Sequence, residues 1–137
     1  MVHGDFILGL PGETAQTVAV TAAFIRRTRP NILQVAVASP IPGTPFFRWA
    51  RDNGYLLTED MARSLDSRGY QRCIISYPGL PSAAITSAVD RALRQYYLRP
   101  SFLPVAMSNI LRRGGLGELK LMLRAASVLP GYLRRAA

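Results

Sequence analysis

An α/β fold is what this 137-residue sequence predicts, on three observations that follow one another from its start. "DFILG" is a short apolar run closed by glycines and a proline. "ETAQTVAVTAAFIRRTRP" carries helical spacing up to a proline. "NILQVAVAS" alternates bulky with small or polar side chains. Strand, helix and strand at these lengths make a βαβ unit, whose strands should be parallel and joined by a right-handed crossover.

The first strand is assigned because its apolar residues are contiguous and bounded by Gly4, Gly9, Pro11 and Gly12, the profile of a buried strand. In the helix that follows, Ala15, Val18, Ala22 and Ile25 recur on one face. Glu13 suits the positive N-terminal end, Arg26, Arg27 and Arg29 the negative end, and Pro30 stops it. In the second strand Leu33, Val35 and Val37 form one face and Gln34, Ala36 and Ala38 the other. After "PIPGTP", Thr44 reads as a helix N-cap with Pro45 at the first helical position, and Gly54 ends that helix. Thr58 is expected to cap a further short helix. "GYQRCIISY" reads as a third strand, and "YPGLPS" leads into a helix with Ile85, Val89, Leu93 and Tyr96 on one face, closed by Pro100.

The remainder changes character. Residues 1–98 hold 10 basic and 7 acidic side chains, whereas 99–137 hold 7 basic and only Glu118, so the net charge of +9 is concentrated at the C-terminal end. Two short amphipathic helices, interrupted at Gly114 to Gly117 and at Pro130, are expected there. Leu111, Leu119, Leu121, Met122 and Leu123 stand beside Arg112, Arg113, Lys120 and Arg124, a pattern suited to an anionic membrane surface or to a solvated face packed back on the domain. Nucleic acid is not expected as a partner, because aromatic residues are not interleaved with the arginines. The longest uncharged run, 31–47, is broken by Pro40, Pro42, Gly43 and Pro45, so no spanning helix is expected. No export signal opens the sequence, which makes the cytoplasm, or the inner face of its membrane, the expected location.

The turn in "GLPGET" ends a strand and begins a helix, where unpaired N–H groups and partial positive charge suit a carboxylate, a phosphate or a nucleoside edge. It lacks the Lys and Ser/Thr of a phosphate-binding Walker loop and the spacing of G-x-G-x-x-G. Two readings therefore stand: a structural turn, and a turn that holds a ligand. His3 is expected to be a surface or loop histidine with no evident partner. Asp5 is read as a solvated strand end or a group directed to a ligand ribose. Phe46, Phe47 and Trp49 are expected to pack, and Cys73 to be a small buried hydrophobe.

"GDFILGLPGET", followed one helix and one strand later by "QVAVASPIPGTPFFRWARDNGYL", with "YPGL" and "RQYYLRPSF" further on, resembles the C-terminal half of the barrel of radical S-adenosylmethionine enzymes. The similarity is to the cobalamin-binding group and, within it, to the hopanoid-biosynthesis-associated branch, and it covers residues 2 to about 100. The resemblance implies a partial radical S-adenosylmethionine (β/α) barrel over 1–80 and a helical C-terminal extension with a basic amphipathic tail over 81–137. It implies that Ile7, Gly9 and Glu13 match a G-x-I-x-G-x-x-x-E segment lying against the adenine of S-adenosylmethionine, with Asp5 where the family's first glycine stands. By strand alternation Gln34, Ala36 and Ala38 would face the barrel interior and complete the nucleoside pocket.

The family's 4Fe-4S cluster is held by CxxxCxxC, which this sequence lacks, having Cys73 alone. Ligands for the cluster and for cobalamin are thus expected on a missing N-terminal part of the same enzyme. Two expectations follow. One is an enzyme piece acting on a small-molecule or hydrophobic, hopanoid-type lipid substrate, inactive alone. The other is a non-enzymatic peripheral membrane module with a basic tail.

Overall fold

The computed structural model describes residues 2–67, 69–102, 104 and 107. The amphipathic helices expected over 103–137 lie outside the described residues, apart from these last two positions. Strand β1 (His3–Leu8), helix α1 (Ala15–Thr28) and strand β2 (Ile32–Val37) form the expected βαβ unit. The two strands pair in parallel, in register from His3 opposite Ile32 to Leu8 opposite Val37.

The turn after each strand is built the same way. Leu10 to Glu13 and Ile41 to Thr44 each close with an N–H to C=O bond of 3.1 Å across a central Pro-Gly pair. Gly12 at φ +84 and Gly43 at φ +90 occupy the third position, as a type II turn requires. A threonine then caps the next helix. Thr14 caps α1 in a reciprocal box with Thr17, and Thr44 accepts from the Phe47 N–H at the start of α2 (Pro45–Asp52). These caps supply the acceptors that the first helical N–H groups lack.

Residue parity in β1 and β2 decides what is covered. Leu8, Leu33, Val35 and Val37 are buried together with Val18 and Ile25 of α1 and with Ile85, Val89, Ala92 and Tyr96 of α3 (Ser82–Tyr97). Both long helices thus lie on one face of the strand pair, joined by a 3.2 Å bond from Arg26 Nη1 to Gln95 Oε1. Each large aliphatic side chain hidden in this way contributes about 1.5–3 kcal/mol. Two tyrosines at the end of α3 fasten the start of β2. The Tyr96 hydroxyl donates to the Pro30 carbonyl, and the Tyr97 hydroxyl both donates to the Leu33 carbonyl (2.6 Å) and accepts from the Leu33 N–H (3.0 Å).

The segment 69–77 does not become a third strand. Its backbone makes isolated antiparallel bridges, Leu65 with Gln71 and Leu56 with Ile75, instead of a ladder along β2. The group that reaches β2 is a side chain: Gln71 Nε2 donates to the Val37 carbonyl at 2.9 Å and to Ser39 Oγ at 2.8 Å. The expected short helix after Thr58 is a 3-10 turn, Met61–Ser64, capped by Asp60. Thr58 instead accepts from the Asp60 N–H.

Ile85 is fully buried under the Gly9 turn and in the shared core. Ile85→Ala is expected to lower stability by about 2–5 kcal/mol in urea unfolding, through lost burial and the cavity left behind.

Candidate functional site

The open face of the strand pair collects the polar and small residues of both strands. On β1 these are His3, Asp5 and Ile7, all exposed; on β2 they are Gln34, exposed, and Ala36, half-buried. The register sets Asp5 opposite Gln34 and Ile7 opposite Ala36. Four of the six predicted binding positions therefore lie close together: Ile7, Gln34 and Ala36 on this face, and Gly9 at the end of β1. Ala38 does not join the open face. It is buried just beyond β2, where its N–H donates to the Leu8 carbonyl at 2.7 Å and extends the pairing by one residue. His3 does have a partner, Asp5 Oδ1, 3.4 Å from its Nε2.

Glu13 acts on the turn itself. Its Oε2 accepts from the Gly9 N–H and, at 3.1 Å, from the Leu10 N–H, so the carboxylate closes a ring of four residues. Bonds of this charge-assisted kind are the stronger ones. Through Oε2 the carboxylate therefore braces the turn from within. On the other side of Gly9, the buried Tyr77 hydroxyl donates to the Gly9 carbonyl at 2.7 Å. The Gly9 N–H and carbonyl are thus both bonded within the fold.

Tyr77 is the residue that sequence reasoning missed. It sits in the "YPGL" segment, and its backbone pairs with Leu80 through two mutual 3.2 Å bonds. Nothing in the local pattern shows that its hydroxyl ends at Gly9, 68 residues away. Its ring belongs to an aromatic cluster, with centroids 6.0 Å from Trp49 and 5.3 Å from Tyr55. Trp49 in turn stacks on Phe46 at 6.3 Å. Phe47 is buried, as expected for a packing residue. Burial, then the nearby Cys73, Glu13 and Tyr55, pushes the Tyr77 phenol from 10.0 up to about 12. Burial likewise raises the Cys73 thiol, which donates to the Ile75 carbonyl at 3.3 Å.

Two cavities run along α3. One of about 1000 Å³ runs between α3 and the 66–73 segment, lined by Arg72, Ser82, Thr86 and Asp90 among others. A second, of about 460 Å³, follows the outer edge of β2 and touches Ala36, Gln71, Val89 and Leu93. Among the described residues no three His, Cys, Asp or Glu side chains converge as metal ligands, and no helix is long and apolar enough to cross a membrane.

Two glycines make the turn's demands measurable. Gly9, at φ +92, has Ile85 side-chain atoms 3.2 Å from where a Cβ would lie, whereas Gly12, at φ +84, has open space there. Gly12→Ala is expected to cost about 1–2 kcal/mol for the backbone alone. Gly9→Ala should cost more, about 3 kcal/mol with the added crowding, as read by thermal melts of both variants. Tyr77 adds a pH dependence. Because its folded pKa lies above the unfolded value, its contribution is complete below about pH 10 and is lost as pH rises through about 12. Alkaline unfolding of Tyr77→Phe is therefore expected to fall off less steeply between pH 10 and 12 than that of the native chain.

Three proteins of known description share part of this sequence. An uncharacterized methyltransferase of Pyrococcus horikoshii is 29% identical over 102 residues, which are 73% of this chain and 21% of that protein. Proteins described as "probable threonylcarbamoyladenosine tRNA methylthiotransferase" from Pyrococcus abyssi and Pyrococcus horikoshii are 36% and 34% identical over 58 residues, 42% of this chain and 14% of theirs. No family model matches the chain. No solved structure matches it. The chain spans between about a seventh and a fifth of the length of these relatives, and over that part it is similar to a methyltransferase and to methylthiotransferases.

Proposed function

We propose that this chain forms the C-terminal part of a radical S-adenosylmethionine enzyme of the cobalamin-binding group, contributing one wall of the S-adenosylmethionine pocket and the substrate side of a partial (β/α) barrel. The observation that carries the reading is the one-sided cover of a parallel strand pair. Parallel sheets are ordinarily buried on both faces, so a pair clothed by helices on one side and bare on the other fits a wall whose inner face looks into a barrel. On that inner face Ile7 opposite Ala36 offers an apolar surface with room above the small side chain, and Gln34 offers an amide to a nucleoside edge. Gly9 and Glu13 serve by fixing the turn that ends this surface. Ala38 acts behind it, through the bond to Leu8. The partial similarity to a methyltransferase and to methylthiotransferases supports this reading.

The single cysteine cannot supply the three thiolates of a CxxxCxxC-held 4Fe-4S cluster. That cysteine is half-buried, its thiol is directed to a backbone carbonyl, and among the described residues no three His, Cys, Asp or Glu side chains gather as ligands. In this reading the cluster and the cobalamin belong to another part of the enzyme, and the chain alone does not cleave S-adenosylmethionine. The finer assignment is a hydrophobic, hopanoid-type substrate. The exposed Leu10 and Ile41 on the two turns support it, since they place apolar side chains at the strand ends where substrates of barrel enzymes enter.

The excess of basic over acidic residues at 99–137 favours a second reading, a non-enzymatic module held on anionic lipid by its tail. One experiment separates the two: the size of the polypeptide in its own cells, read with an antibody against the segment 111–124. The enzyme reading expects a band far above 15.0 kDa whose purified form, after cluster reconstitution, yields 5′-deoxyadenosine from S-adenosylmethionine. A band at 15 kDa alone, with no S-adenosylmethionine binding and with tail-dependent sedimentation on phosphatidylglycerol vesicles, would overturn it in favour of the second.

A further inference from the structure

We infer that Tyr77 is a positioning residue that couples the Gly9 turn to the Gly43 turn, so that a change at the first is felt in the helix launched by the second. The identity of the ligand involved rests on the reading under Proposed function; the coupling does not. The two turns end neighbouring parallel strands and lie at the same end of the sheet. Backbone pairing holds them together only as far as the bond from the Ala38 N–H to the Leu8 carbonyl. Beyond that point the turns have their own internal bonds, and what joins them is a side chain.

Tyr77 reaches both. Its hydroxyl grips the Gly9 carbonyl from outside while Glu13 grips the Gly9 N–H from inside. Its ring meets Trp49 of α2, and Trp49 stacks on Phe46, the second residue of the helix that Thr44 caps. The lever is anchored at its base, because Tyr77 and Leu80 exchange backbone bonds and Leu80 is buried. A displacement of Gly9 moves the acceptor of the Tyr77 hydroxyl, the side chain turns about its anchored backbone to keep the bond, and the ring carries that displacement to Trp49. A ligand lying across both turns needs them in one relative position, and this connection provides it.

The chain has one tryptophan, so its emission reports on α2 directly. Glu13→Gln weakens the turn from the inside. Its effect on Trp49 emission is expected to be clear in the native background and at least threefold smaller in Tyr77→Phe, which keeps the ring and loses the hydroxyl. An equal change in both backgrounds would overturn the coupling. Reciprocity gives a second reading that leaves Tyr77 intact: Trp49→Phe should speed amide hydrogen exchange at Gly9 and Leu10 at least threefold, and unchanged exchange there would overturn the proposal as well. Titration with S-adenosylmethionine separates the ligand from the lever. An emission change that is reduced in Tyr77→Phe supports both. Silence toward S-adenosylmethionine alongside an intact Glu13 effect removes that ligand and leaves the coupling standing.

Discussion

The in-register parallel pairing of β1 with β2 is the constraint on which the rest depends. Because side chains alternate across a strand, one register assigns every residue of both strands to a face at once. Leu8, Leu33, Val35 and Val37 go to the helices, and Asp5, Ile7, Gln34 and Ala36 go to the open side. A slip of β2 by one residue would turn Gln34 and Ala36 toward α1 and α3 and expose Leu33, Val35 and Val37. The tyrosine hydroxyls at Pro30 and Leu33 pin the start of β2, so the register is held by α3 as well as by the ladder.

The same parity explains how a fold and a surface come from one short pattern. Burial of the aliphatic face supplies the stability, and the open face is left to residues that contribute little to it. Gly9 stands where the two meet. Its positive φ lets the chain leave the strand sharply, and its lack of a Cβ lets Ile75 and Ile85 pack directly beneath the turn.

Features set by local sequence were legible, and features set by distant contacts were not. The βαβ unit follows from periodicity within single elements, and the Thr44 cap follows from a Thr placed just after a Pro-Gly turn, whereas the equivalent cap at Thr14 was not read. Alternation correctly put Gln34 and Ala36 on the bare face, but it misplaced Ala38, because the strand has ended there and the residue serves the turn. "GYQRCIISY" has the composition of a strand, yet composition does not say which partner is in reach, and its backbone finds the 56–65 segment before it finds β2. Glu13 Oε2 accepts from two amides within four residues, a local contact that the match to the family's segment does not show. The role of Tyr77 is illegible for a simpler reason: the carbonyl it meets belongs to a different turn, brought near only when the whole domain has closed.

The order in which the pieces become available follows from those long-range hydroxyls. Tyr77 meets Gly9 across 68 residues, Tyr96 meets Pro30 across 66, and Tyr97 meets Leu33 across 64. During synthesis, at about 5–20 residues per second, the first strands and turns are thus on hand for several seconds before the groups that fix them exist. In that interval β1, α1 and β2 can form their local bonds while their aliphatic face waits for α3. The strands that carry the candidate surface thus exist before the hydroxyls that pin them.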